Sequence, residues 1–214
     1  MRLENYIDHT LLNPTATDQD IINLCSEAKM YNFFGVCVHG CHVPLAKKEL
    51  MGSPITLVAV IGFPLGAMST HSKTCEAQDS ILAGADEIDM VLNIGWLKSK
   101  KYGLVLEEIT KIKQAIGTAI LKVIIETCYL TEEEKLKACE LIIQGNADYV
   151  KTSTGFGPEG ANYKDIALLQ KKVGNRIKIK ASGGIKNTEM ALKYIDLGAS
   201  RIGTSSGIKI LTGS

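Results

Sequence analysis

Eight short apolar or β-branched runs recur along this chain of 214 residues. They are "YIDHTLL" (6–12), "FGVCVH" (34–39), "TLVAVIG" (56–62), "DEIDMVL" (86–92), "LKVIIET" (121–127), "DYVKTS" (148–153), "RIKIKAS" (176–182) and "ASRIGTS" (199–205). Each reads as a buried strand. Between most of them the apolar spacing changes to that of a helix. "TATDQDIINLCSEAKMYN" opens on Thr15 or Thr17 as a possible N-cap and carries Ile21, Ile22, Leu24, Cys25 and Ala28 at helical spacing. "STHSKTCEAQDSILAGA" stops at Gly84, and "KYGLVLEEITKIKQAIG" at Gly117. "TEEEKLKACELIIQGNA" begins with the capping-box pair Thr131 and Glu134 and stops at Gly145. "ANYKDIALLQKKVGN" and "KNTEMALKYIDLGA" complete the set.

Strands alternating with helices imply parallel pairing and an α/β fold. Eight such units in one short chain predict a single (β/α)8 barrel over residues 1–214. The alternative is a doubly wound open sheet, which usually carries a glycine-rich phosphate loop after its first strand. Here "NPTATD" follows the first strand, and the glycine-rich turns follow strands six, seven and eight. That is where barrels commonly build a phosphate site.

Composition narrows the class. The formal net charge of +1 gives no field suited to nucleic acid or a membrane surface. The N-terminal "MRLENYIDHT" has no apolar run that could act as a signal, and "ITLVAVIGF" is half the length of a membrane span. A cytoplasmic protein without nucleic-acid or membrane partners is expected. The six cysteines, scattered through strand-like and helix-like segments, read as reduced thiols. "CVHGCH" (37–42) places two thiols and two imidazoles close together, but no second ligand pair follows at zinc-site spacing. It reads as a strand ending near Cys37 and then a loop, with no metal.

In a barrel the active site lies at the C-terminal ends of the strands. That rim is expected to carry Asp8, His9, Cys37, Asp89, Asn93, Glu126, Lys151, Lys180 and the turn from Gly203 to Ser206. Lys122 lies deeper in strand five, where Glu126 or Asp89 is expected to pair with it. Lys151 and Lys180 end neighbouring strands and point to the same mouth. Two ammonium groups a few ångströms apart repel, so one of the pair ionises less readily. The product is a nucleophilic amine that forms a Schiff base with a carbonyl compound. Either lysine alone reads also as a solvated rim residue or a salt-bridge partner. Asp89 lies inside an apolar run and needs a cation there. It reads either as the lysines' structural ion-pair partner or as a proton shuttle, whereas Asp86 and Glu87 at the strand entrance are expected in solvent. The turns "STGFG", "ASGGI" and "IGTSSG" offer backbone N–H groups to an anion, with glycine allowing close approach.

These residues together resemble the deoxyribose-phosphate aldolase family. The resemblance is carried by "IDHTLL" (7–12), "GVCVH" (35–39), "VIGFPLG" (60–66), "ADEIDMVLNIG" (85–95), "LKVIIET" (121–127), "VKTSTGF" (150–156), "IKASGGI" (179–185) and "RIGTSSG" (201–207). It implies a (β/α)8 barrel that interconverts 2-deoxy-D-ribose 5-phosphate with acetaldehyde and D-glyceraldehyde 3-phosphate, a carbon–carbon lyase reaction. It implies no metal and no organic cofactor, and a homo-oligomer, often a dimer. It places the Schiff-base lysine at Lys151, the second lysine at Lys180 and the acidic proton relay at Asp89. It places phosphate contacts around Gly155, Gly183, Gly184, Gly203, Ser205 and Ser206, with Asp8, Cys37 and Lys122 as accessory positions. Several family members carry a C-terminal tail tyrosine that reaches the site; this sequence stops at "GIKILTGS". Cys37 reads as a thiol near the mouth that an unsaturated aldehyde would alkylate, or as a small core residue. Two other readings compete: a different imine-forming barrel lyase or isomerase, and a sugar-phosphate sensor that retains the pocket without turnover.

Overall fold

The computed structural model describes residues 2–213. Eight parallel strands follow one another around a closed barrel: β1 (Ile7–Thr10), β2 (Gly35–His39), β3 (Thr56–Ile61), β4 (Glu87–Val91), β5 (Ile120–Ile124), β6 (Tyr149–Lys151), β7 (Lys178–Ser182) and β8 (Arg201–Thr204). β8 pairs with β1, with Asp8 opposite Gly203, and this closure excludes the open sheet. The surrounding helices are α1 (Asp18–Tyr31), α2 (Val43–Glu49), α3 (Thr70–Leu82), α4 (Ile94–Lys98), α5 (Tyr102–Ala115), α6 (Glu132–Gln144), α7 (Tyr163–Val173), α8 (Thr188–Asp196) and α9 (Gly207–Thr212). Among the described residues no helix is long and apolar enough to cross a membrane.

Local chemistry explains the helix starts. Thr17 caps α1 in a reciprocal box with Asp20, and Thr131 caps α6 in the same way with Glu134. Asn162 and Asn187 cap α7 and α8 through their side-chain oxygens. The segment after β2 differs from expectation. β2 continues through Cys37 to His39, and α2 follows almost at once. The buried residues of α2 are Val43 and Ala46, too few for a periodic pattern to register. Its Pro44 lies in the first turn, where a missing N–H removes no intrahelical bond.

The main core lies between barrel and helices. Val36, Val38, Leu57, Ala59, Ile61, Ile88 and Met90 belong to it, each fully buried. Burying an isoleucine or methionine side chain there contributes roughly 1.5–3 kcal/mol. A second, smaller apolar cluster joins Cys37, Val58 and Val60, from the opposite faces of β2 and β3, to Leu12 of the segment after β1, with Phe63 against it.

Candidate active site

Period-two alternation sends every second residue of a strand into the barrel. On β4 this turns Glu87 and Asp89 inward, while Ile88 and Met90 join the outer core. The register then sets Asp89 beside Lys122 of β5, Lys151 of β6 beside Lys180 of β7, and Lys180 beside Arg201 of β8. Lys151 Nζ donates to Asp89 Oδ2 at 2.8 Å, and Lys180 Nζ donates to the same oxygen at 2.8 Å. The two amines are therefore no further apart than twice that distance. Lys180 also reaches Asp8 Oδ2 at 2.5 Å, and Lys122 reaches Asp89 Oδ1 at 2.7 Å. Asp89, Lys122 and Lys180 are fully buried.

Above this cluster opens a cavity of about 530 Å³. Its walls are the β1–α1 loop from Thr10 to Pro14 and the turns after β6, β7 and β8. All six positions expected to contact phosphate line it: Gly155, Gly183, Gly184, Gly203, Ser205 and Ser206. Lys151 lines it as well, whereas its charged partners in the barrel do not. Gly183 has φ +87° and abuts Gly160, whose Cβ would lie 2.2 Å from the Gly183 carbonyl oxygen. Gly203 has a further use: a Cβ there would stand 3.0 Å from Lys180 Cε, so its absence leaves room for the lysine.

Residues 3–213 match the profile described as DeoC/LacD family aldolase. The deoxyribose-phosphate aldolase of Finegoldia magna is 53% identical over 213 residues, covering 100% of both chains. That of Brevibacillus brevis is 52% identical over 214 residues, covering 100% of this chain and 97% of the relative. A solved structure of a putative deoxyribose-phosphate aldolase from Coccidioides immitis superposes with TM-score 0.97 at 41% identity, covering 99% of this chain and 85% of the other. The chain belongs to this aldolase family.

Within this family member the electrostatics differ from simple lysine–lysine repulsion. Burial opposes the charge on Lys180, but the carboxylates of Asp8 and Asp89 outweigh it and raise its affinity for a proton above the ordinary lysine range. Burial likewise opposes ionisation of Asp89, yet Lys122, Lys151 and Lys180 hold its carboxyl well below the usual carboxylate range. Asp8 is disfavoured by burial and rescued by Lys180, Arg201 and Lys122, which bring it to about 2. The charged form of Lys180 is thus favoured, because a carboxylate stands between the two amines.

Other rim expectations are corrected by the alternation. His9 faces away from Asp8, and its Nε2 meets Glu27 Oε2 at 2.6 Å. Asn93 caps α4, accepting from the Trp96 backbone N–H at 3.1 Å. Cys37 lies in the middle of β2 and is fully buried, not at the mouth. Burial pushes its thiol up, although Lys180 and Lys151 pull the other way. Glu87 is buried, not solvated, since the inward face of β4 brings it 2.5 Å from Lys122 Nζ. Among the described residues no three His, Cys, Asp or Glu side chains gather where they could hold a metal ion.

Glu126 does not pair with Lys122. β5 ends at Ile124, and Glu126 takes a left-handed backbone, φ 49°. Its buried carboxylate instead accepts from the Thr154 backbone N–H at 3.2 Å and from the Thr154 hydroxyl. Thr154 Oγ1 in turn accepts from the Phe156 backbone N–H at 3.0 Å. The clamp shapes the turn that presents Gly155 and Phe156 to the cavity. The exposed Lys186, which also lines the cavity, adds a cation beside the glycine turns. Nothing in the local sequence pattern marked Lys186, and Arg201 read only as part of the last strand. Its Nη1 donates to Asp8 Oδ1 at 2.9 Å across the barrel floor.

Proposed function

We propose that this chain is a deoxyribose-phosphate aldolase, cleaving 2-deoxy-D-ribose 5-phosphate reversibly to D-glyceraldehyde 3-phosphate and acetaldehyde. One observation carries the reading. Among the cluster's buried charges, Lys151 alone opens onto the cavity, at the end of a wall built from glycine turns. A nucleophile and an anion cradle therefore share one chamber.

Lys151 Nζ attacks the carbonyl carbon of acetaldehyde, or C1 of the open-chain sugar phosphate. Loss of water forms the imine. The protonated imine withdraws electrons, so the adjacent carbon loses a proton and becomes an enamine. In synthesis the enamine carbon attacks the aldehyde of glyceraldehyde 3-phosphate, whose oxygen takes up a proton; in cleavage the C3 hydroxyl gives up its proton as the same bond breaks, the bond's electrons enter the imine, and the enamine so formed takes a proton on carbon to become the acetaldehyde imine. Water then releases the product and restores the amine. Asp89, 2.8 Å from Lys151 Nζ, takes and returns protons at the reacting nitrogen. Lys180, held as a cation by Asp8, stabilises negative charge developing near the reacting oxygen. Backbone N–H groups of the three turns and Lys186 hold the phosphate, so that binding energy remote from the reacting bond orients it.

The dimer implied by the family resemblance belongs to the same proposal and is checked by light scattering.

Borohydride trapping with acetaldehyde tests the chemistry. A single ethyl adduct on Lys151, blocked by excess deoxyribose 5-phosphate and absent in Lys151→Ala, is expected by intact mass and peptide mapping. Adducts spread over surface lysines would overturn the assignment of the nucleophile. Turnover without acceptance of acetaldehyde would point to another imine-forming lyase.

A further inference from the structure

Glu87 and Arg201 line no part of the cavity. Both are buried, and both are charged. Their contacts complete a closed circuit. Arg201 Nη1 bridges Asp8 Oδ1 at 2.9 Å and Glu87 Oε2 at 3.2 Å. Glu87 Oε2 meets Lys122 Nζ at 2.5 Å, and Lys122 meets Asp89 Oδ1 at 2.7 Å. Asp89 Oδ2 meets Lys180 at 2.8 Å, and Lys180 returns to Asp8 Oδ2 at 2.5 Å. Sign alternates at every step, with three carboxylates and three cations. Each cation of the circuit has two carboxylate partners. Lys151 stands outside it, with the single partner Asp89.

We infer that Glu87 and Arg201 are positioning residues for the lysine chemistry: they close a neutral ring of six charges, so that a proton on Lys151 is the one unbalanced charge of the cluster. The inference rests on the aldolase reading and deepens it. The reason is electrostatic. Charges in a buried site interact far more strongly than in water, and a single unbalanced charge there is costly. A neutral ring leaves Lys151 nothing further to neutralise. Had one cation been missing, the surplus negative charge would hold a proton on Lys151, and an ammonium group is no nucleophile.

The ring is also braced from below. The Arg201 guanidinium carbon lies 3.4 Å from the centre of the Phe34 ring, and its Nη2 stands 3.3 Å from the Tyr149 hydroxyl. Lys122 and Lys178 lie over the Tyr149 ring at 5.9 and 5.7 Å. The other titratable group facing the ring is the Cys37 thiol on the β2 side.

The test is the pH dependence of acetaldehyde–borohydride trapping at Lys151 in five proteins: the unaltered chain, Arg201→Met, Glu87→Gln, the double variant of these two, and Arg201→Lys. Circular dichroism and thermal melting confirm folding of each. Arg201→Met leaves surplus negative charge, so the acid limb is expected to move up by about one pH unit, roughly a tenfold slower trapping at neutral pH. Glu87→Gln leaves surplus positive charge, and the limb is expected to move down. The double variant restores neutrality and is expected to return towards the unaltered profile, while Arg201→Lys keeps it. Opposed shifts that cancel are what a merely structural role would not produce. Shifts in the same direction, no shifts, or losses that add in the double variant overturn the inference and leave the aldolase reading standing. Should Arg201→Met not fold, the near-isosteric Glu87→Gln decides alone by the direction of its shift. Failure of the unaltered chain to be trapped at Lys151 overturns the aldolase reading, and this inference with it.

Discussion

The two faces of strand β4 obey different physics. Outward, Ile88 and Met90 are buried among apolar neighbours of the barrel–helix wall. Inward, one residue to either side, Glu87 and Asp89 are buried just as completely among charges. The outer face is stabilised by removal of area from water, which is non-directional and tolerant of similar shapes. The inner face is stabilised only while each charge meets its counter-charge at hydrogen-bond distance. A barrel can therefore carry its chemistry in its centre, provided the wall supplies the folding energy.

Removing Asp89 should produce the largest contrast. Asp89→Asn leaves Lys122, Lys151 and Lys180 around a neutral amide in place of their shared carboxylate. Breaking a buried ion network in this way costs about 3–5 kcal/mol. Urea unfolding should show that loss, and trapping at Lys151 should fall because the carboxylate that moves protons at its nitrogen is gone, even though loss of the negative charge by itself favours the free amine. A change below about 1 kcal/mol would mean that the lysines shed their protons freely when the carboxylate goes. The inner face would then not be charge-matched, and the comparison would break.

Acid sharpens the contrast by a smaller amount. The Asp8 carboxyl is held at about 2, below its ordinary 3.8. A depressed carboxyl adds stability that is fully present above its unfolded value and lost as pH falls through the folded one. The stabilisation from Asp8 is thus complete above about pH 4 and disappears towards about pH 2, an effect on the order of 2 kcal/mol. Unfolding free energy measured across that window should show the decline, and Asp8→Asn should remove that part of the slope. A flat profile in the unaltered chain would show that the inner face does not respond as charged pairs.

How much of this was legible in the sequence follows the same division. The outer face announces itself, because alternation and helical spacing are local patterns; all eight strands were marked, and only their ends shifted. The caps Thr17 and Thr131 and the pairing of Lys151 with Lys180 were also readable, since strand ends in a barrel share a mouth. The inner face was only half readable. The apolar surroundings of Asp89 mark it in the sequence, whereas Glu87, two residues earlier, looks solvated because its partners lie on β5 and β8. Arg201 is silent in the sequence for the same reason, since no local pattern says which distant carboxylate a cation will meet. Glu126 was placed on the rim, but its left-handed backbone, which turns it from Lys122 to Thr154, follows from where β5 stops.

The smallest predicted effect is the control on which the comparison depends. Ile88→Val removes one buried methylene from the outer face, between the two inward carboxylates of β4. It should cost about 0.5–1.5 kcal/mol. Because no charge changes, that cost should be the same from about pH 4 to about pH 8, and the trapping profile of Lys151 should stay in place. Unfolding measured at several pH values checks the first point and borohydride trapping the second. A cost that varied with pH, or a displaced profile, would mean that a cavity on the outer wall moves Glu87 or Asp89 through the shared backbone. The wall would then set the geometry of the charges as well as supply folding energy, and stability could not be altered on one face of the strand without altering chemistry on the other.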